Sequence, residues 1–305
     1  MSEYMTLLEA AKLTQEPLRK GVIEIFPRTS PVLERLPMFA VSGNSYRYNL
    51  EQTLGGIAFR AVNEEYTPDV GVINPVTENL CILGGISKVD RALVKTQGSL
   101  NDLRAIHDGM KAKAASLLYT KNFFKGDSTA NPKEFDGLQI RLTGDQVIDM
   151  GTSAGGDTLT LAKVDELIDA VQGGPDVLFM NKILRRKVNA LVRAAGQAIE
   201  TVSDAFGRQI NAYAGVPIGV IEDDNEGNPI LDFSEACPGG GSNVGTSIYA
   251  VRFGFEYLSG LQNGSLDVID LGLVETFYKT LIEWLCGLAV WHPKAAARLQ
   301  GIKNA

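Results

Sequence analysis

The chain has 305 residues, 45% of them hydrophobic, and a formal net charge of −7, with 29 basic against 36 acidic side chains. That is enough to bury a sizeable core in one large or two modest domains. The acidic balance argues against tight non-specific nucleic-acid binding, because few phosphates would be neutralised. No apolar run approaches the ~18 residues of a membrane helix, and Met-Ser-Glu-Tyr-Met lacks the basic and apolar regions of a secretory signal. Cys81, Cys237 and Cys286 are odd in number and scattered, which favours reduced structural thiols over a disulfide frame or a zinc site.

In chain order, residues 1–40 read as an arm. Pro17, Pro27, Pro31 and Pro37 interrupt every periodic pattern, while Ile25, Phe26, Leu33, Leu36 and Phe39 keep the stretch strongly apolar. An extended, apolar chain must lie on something, either its own domain edge or a neighbouring subunit. Residues 44–83 read as a two-stranded excursion. Tyr46, Tyr48 and Leu50 alternate with polar residues, the period-2 pattern of a half-buried strand. Val76, Leu80 and Ile82 bring a strand back, and Gly84-Gly85 is expected to break it before a further strand over Ile86–Lys95. A tip carrying Arg60, Glu64, Glu65 and Asp69 has little core to support it, and such a ribbon alone in water is marginal.

Gln97 to Leu142 is the stretch around which the chain is organised. Ser99 is a plausible helix cap with Asp102 three residues on. Leu103, Ile106, Met110, Ala114, Leu117 and Leu118 form one apolar stripe, and Lys121 and Lys125 precede a closing Gly126. Helical from Leu100 to Lys125, the stretch would run ~39 Å, more a strut than a core helix. A polar crossing to Phe135 then leads, through the turn Asp136-Gly137, to an expected strand over Leu138–Leu142.

From Thr143 to about Leu271 helical and strand patterns alternate as in a compact α/β domain. Helices are expected over Thr160–Ala170 and Asn181–Ala195, buried strands over Val177–Met180 and Val216–Ile221, a polar turn at Asp223–Asn228 with Ile230–Phe233 pairing back, and a strand over Ser247–Phe255. Thr276–Trp291 fits helix or strand, and its β-branched and aromatic density favours strand. Pro293 is expected to start a short terminal helix, Lys294–Leu299.

Chemistry-bearing motifs are weak. Gly151-Thr152-Ser153-Ala154-Gly155 matches a nucleophile elbow and His292 lies downstream, but no helix begins at once after it, so a serine hydrolase using Ser153 is only an alternative. Pro238–Gly245 lacks a phosphate-binding lysine and reads as a mobile surface loop. Asp223–Asn228 lacks the bidentate acid of a calcium loop and reads as a turn. With only His107 and His292 present, the reading assigns no catalytic residue, metal or cofactor.

The order of parts resembles the HK97-fold major capsid proteins of tailed bacteriophages: apolar arm, extended loop, long helix through Phe123-Phe124-Lys125-Gly126-Asp127, Phe135-Asp136-Gly137-Leu138, an α/β insertion, and an end reading Val290-Trp291-His292-Pro293-Lys294. The resemblance implies an α+β fold with an N-arm (1–40), an E-loop (41–85), a P-domain with spine helix (86–142 and 271–305) and an A-domain (143–270). It implies a subunit of an icosahedral head around double-stranded DNA, assembled from pentamers and hexamers of itself. Expected partners are a separate scaffolding protein, a portal and a possible decoration protein, with DNA met only by proximity and no membrane. The location would be the virion, after synthesis in the host bacterial cytoplasm. An encapsulin-like nanocompartment shell is the alternative on the same fold. Expected inter-subunit contacts are Phe26, Leu33, Phe39, Tyr46, Tyr48, Arg60, Glu64 and Glu65. Lysines are absent from 41–80, so no isopeptide cross-link of the loop is expected.

Overall fold

A helix of 26 residues, α1 (Leu100–Lys125), lies against a sheet and is the longest helix of the described residues. The structure, a computed structural model, describes residues 30–53, 56–67, 70–93, 100–203, 207 and 209–304. The expected strut is present with the expected bounds, while Ser99 lies outside the described residues. Its buried face is not the expected one. The enclosed positions are Arg104, Asp108, Ala112, Ser116, Tyr119, Thr120, Phe123 and Phe124, whereas Ile106 is 59% and Met110 64% exposed. The two series sit two residues apart, about 200° round the helix. The reason lies in what anchors the helix. Phe123, Phe124 and Tyr119 fix one end in the core. At the other end Arg104 pairs with Asp270 at 2.6 Å and donates to Thr280 at 2.9 Å.

The sheet beneath α1 has the order β1-β11-β12-β4, from Met38–Ala40, Leu258–Val274, Phe277–Val290 and Cys81–Asp90. Thr276–Trp291 is therefore strand, as favoured. Gly84-Gly85 does not break β4, which pairs with β12 without interruption. A side chain at Gly84 would meet the Ile282 carbonyl at 2.5 Å, so glycine there permits the close approach of the two strands. β2 (Ser45–Thr53) and β3 (Val72–Asn79) form a separate antiparallel ribbon.

The second sheet has seven strands in the order β5-β13-β10-β6-β9-β8-β7. These are Val147–Asp149, Ala296–Lys303, Gly245–Val251, Val177–Asn181, Val216–Ile221, Gln209–Tyr213 and Glu200–Ser203. The helical turn α2 (Leu138–Arg141) precedes it, and α3 (Leu161–Asp169) and α4 (Lys182–Ala194) pack on it. Asn181 caps α4 by accepting the Leu184 N–H at 2.8 Å. One core cluster joins α1 to both sheets through Leu33, Leu36, Phe123, Phe179, Tyr249 and Trp284. A second lies under α3 and α4.

Three further expectations are corrected. Leu138–Leu142 is a helical turn: Leu138 and Leu142 are buried while Ile140 between them is exposed, which i, i+4 helical spacing allows, whereas a strand would set all three on one face. Lys294–Leu299 is not a helix. Ala295, Ala296 and Ala297 are wholly buried, and β13 pairs with β10 in a register that sets Arg298 opposite Tyr249. Sheet packing there overrides the helical propensity of an alanine run. Ile230–Phe233 contributes no strand; the return is a single bridge between Asp223 and Pro229. The C-terminal stretch 271–305 thus divides between the sheets, β12 in the first and β13 in the second, and β11 enters the first sheet already at Leu258.

Candidate inter-subunit surface

The ribbon has an anchored root and an open end. At the root Phe39, Tyr46, Tyr48 and Trp291 form an aromatic cluster, with Tyr48 4.7 Å and Tyr46 5.7 Å from Trp291 between ring centres. Below it, Glu78 on β3 takes both guanidinium nitrogens of Arg141, at 2.5 and 2.6 Å, and Arg141 also donates to the Asp136 carbonyl. This fork is bidentate and largely buried, so it holds the ribbon to α2 with defined geometry. Tyr48 donates to the Val290 carbonyl at 3.1 Å. Burial, with Glu78 beside it, pushes the Tyr48 hydroxyl up to about 12, so it stays a donor.

The far end is different. Ile57 is 99% and Phe59 106% exposed, and Val62 and Tyr66 are exposed as well. The chain there is ordered locally by charge: Arg60 donates to the Glu64 carbonyl, the Ala61 N–H donates to the Glu64 carboxylate, and the Arg60 guanidinium lies 5.3 Å from the Tyr66 ring centre.

A second surface is the outer face of the first sheet, where apolar rows alternate with the charged rows Glu283–Asp267 and Lys88–Lys279. Opposed residues share a face, and the registers align Ile86, Leu281 and Ile269 in one row and Ile82 with Leu285 in another. Ile82, Ile86 and Ile269 are exposed. The inner face, with Ser87, Thr280 and Asp270 in one row, meets α1 through Arg104. Lys121 and Lys125 tie the other end of α1 to the turns after β9 through Asp224 and Asp232, at 2.9 and 2.5 Å.

The expected contact residues therefore separate. Leu33 is wholly enclosed by its own chain and belongs to the core, so it cannot face a neighbour. Phe39, Tyr46 and Tyr48 are half-buried in the root cluster. Arg60, Glu64 and Glu65 lie exposed at the tip. Phe26 lies outside the described residues. Sequence reasoning chose the tip charges and passed over Ile57 and Phe59. Their alternation with small or polar residues in Gly56–Arg60 was the available signal.

The weaker motifs resolve as backbone packing. Gly151–Gly155 is a loop between β5 and α3, which begins only at Leu161, so Ser153 does not sit at a strand-to-helix elbow. The Ser153 N–H donates to Asp157, while His292 Nδ1 accepts the Lys294 N–H. The loop over Pro238–Gly245 is pinned to it: the Gly155 N–H donates to the Gly240 carbonyl at 2.9 Å, and a side chain at Gly239 would strike the Thr152 carbonyl. Asp223–Asn228 is a turn closed by Asp224, whose carboxylate accepts the Glu226 and Asn228 N–H groups. Among the described residues no group of three or more metal-ligating side chains comes together.

This architecture is shared with solved shell proteins. The SrpI encapsulin of Synechococcus elongatus superposes with a TM-score of 0.65 at 16% identity, over 90% of this chain and 89% of that one. The capsid protein of a native GTA particle gives 0.61 at 14%, over 99% and 94%. A structure of Mycobacterium phage Bobi gives 0.57 at 14%, over 97% and 98%. The fold is thus the HK97-type capsid fold. No curated protein sequence matches the chain. Residues 15–164, just under half of the chain, match the family described as major capsid protein GP7. The chain is thus similar to HK97-fold major capsid proteins in fold along its length, and to that capsid family in sequence over residues 15–164.

Proposed function

We propose that the protein closes into an icosahedral phage head around double-stranded DNA, as pentamers and hexamers, by laying the tip of each ribbon on the outer sheet face of a neighbour. The observation that carries this reading is the complete exposure of Ile57 and Phe59 at the end of a ribbon whose root is fixed. Large apolar side chains held in water at the end of a two-stranded arm gain by burial on another copy, each by about 1.5–3 kcal/mol. The face carrying Ile82, Ile86 and Ile269 offers receiving apolar rows of matching character. Arg60, Glu64 and Glu65 would set the register of the tip, and the exposed edges of Tyr46 and Tyr48 would border it. Many such contacts, each modest, sum in a closed assembly.

The role proposed is structural, without catalytic residue, metal or cofactor. The net charge of −7 supports a lining that packaged DNA meets without adhering. A separate scaffolding protein, a portal and a possible decoration protein complete the proposed partners. The proposed location is the virion, after assembly in the host bacterial cytoplasm. Light scattering of the purified protein over a range of salt and concentration tests the reading: particles of megadalton size are expected, and monomer or dimer throughout would overturn it. The likeness to the SrpI encapsulin favours a second reading, a nanocompartment shell. The contents of purified particles separate the two, since DNA supports the head and a co-purifying protein cargo supports the compartment.

A further inference from the structure

Cys81 and Cys286 stand directly opposite each other in the β4–β12 pairing, and both are free thiols. Theirs is the terminal rung, since the register runs from Phe277 opposite Asp90 to Cys286 opposite Cys81. Beyond it the chain passes through Leu80, whose N–H donates to the Asn44 carbonyl, into β3 and the ribbon. The rung is therefore the point at which the ribbon leaves the sheet. Opposed residues of an antiparallel pair share a face, with Cα atoms about 4.5–5.5 Å apart. A disulfide spans about 4.4–6.8 Å between Cα atoms, a range that includes the spacing of directly opposed residues. Both cysteines line one cavity of about 190 Å³, together with Tyr119, Asn122, Lys133 and Glu134. Cys286 is buried and Cys81 only half-buried, so Cys81 is the thiol a reagent reaches first. The third cysteine, Cys237, lies apart, its sulfur close to Gly156 and to Gly245 at the start of β10.

We propose that Cys81 and Cys286 form a dithiol site that takes small-molecule disulfides and closes to a cross-strand disulfide. Cys81, as thiolate, attacks one sulfur of the reagent; the S–S bond of the reagent breaks, and one half leaves as a thiolate. Cys286, as thiolate, then attacks the sulfur of Cys81 and expels the second half. The protons of the two cysteines pass to the two leaving thiolates, so one disulfide is reduced as one is formed. Burial pushes both thiols up, and Glu134 and Asp136 add to this at Cys81, so the exchange accelerates as pH rises. The site stays open in a reducing medium and closes in an oxidising one. Closed, it fixes the ribbon root covalently to β12; any effect on assembly rests on the shell reading, whereas the chemistry belongs to the single chain.

The test incubates the full-length protein with oxidised glutathione at neutral and mildly alkaline pH, blocks remaining thiols, and maps non-reduced peptides by mass spectrometry. The expected product joins the peptides of Cys81 and Cys286 with loss of two hydrogens. It forms faster at the higher pH, is reversed by dithiothreitol, persists in C237S and is absent in C81S. A glutathione adduct that stays on Cys81 while Cys286 remains blockable overturns the proposal, as does full blocking of both thiols after oxidation. Because the product forms within one chain, a failure of shell assembly does not affect this result.

Discussion

Phe59 offers the sharpest perturbation, because the ring is wholly exposed in the chain and its proposed partner is another copy. Phe59→Ala removes nothing that the isolated fold uses, so the unfolding free energy of the unassembled protein should change by no more than ~0.5 kcal/mol. Assembly should respond differently. Burying a phenylalanine side chain contributes about 1.5–3 kcal/mol, and each 1.4 kcal/mol is about tenfold in an equilibrium constant. Each tip contact should therefore weaken by about ten- to a hundredfold. In the proposed contact every subunit donates one tip and receives another, so the concentration at which particles appear should rise by at least about tenfold. Light scattering across a dilution series, with thermal melts of the unassembled fraction, reads both quantities. Particles forming at the wild-type concentration would refute the reasoning. So would a loss of several kcal/mol in the melt, which would place the ring against its own chain.

Leu33→Ala should cost about 2–5 kcal/mol in denaturant unfolding, as for a buried leucine whose site cannot collapse; a neutral result would return Leu33 to the surface. Glu78→Ala leaves the largely buried Arg141 guanidinium without its carboxylate and should destabilise the chain by about 3 kcal/mol. That variant should also make the ribbon root more susceptible to limited proteolysis, and unchanged digestion would count against the anchor. The hydrogen bond from Arg104 holds the Asp270 carboxyl below its usual range. Its contribution is thus present above the unfolded value of about 4 and is lost as pH falls through the lower folded value. Asp270 is 54% exposed, so the effect is reduced by solvent. Asp270→Asn should flatten the acid limb of the stability profile, and an unaltered limb would show that the pair does not contribute.

The sequence made α1 legible as a long helix, because its length, flanking charges and closing glycine are local signals. Its orientation was not legible. Hydrophobic periodicity picks out Ile106, Met110 and Leu118, which face outward, while the enclosed seam holds Arg104, Asp108, Ser116 and Thr120. An apolar stripe that lies outside the chain's own core misleads any rule that equates apolar with inside. Gly126 was read as a helix terminator, and the structure adds why glycine is needed: a side chain there would strike the Phe135 carbonyl at 2.2 Å. β13 was missed because Ala295–Ala297 favour helix locally, and only the pairing with β10 makes them strand. The ribbon was legible as an alternating pattern, but not the division between its root and its tip. That division depends on Trp291 and Arg141, which come from elements distant in sequence.

Electron cryomicroscopy of the assembled protein tests the central claim most directly, by locating Phe59 in the particle. The account predicts that the ring lies on the outer sheet face of an adjacent subunit, near its copies of Ile82, Ile86 and Ile269. A Phe59 ring folded onto its own chain, or left in solvent within a closed particle, would contradict it.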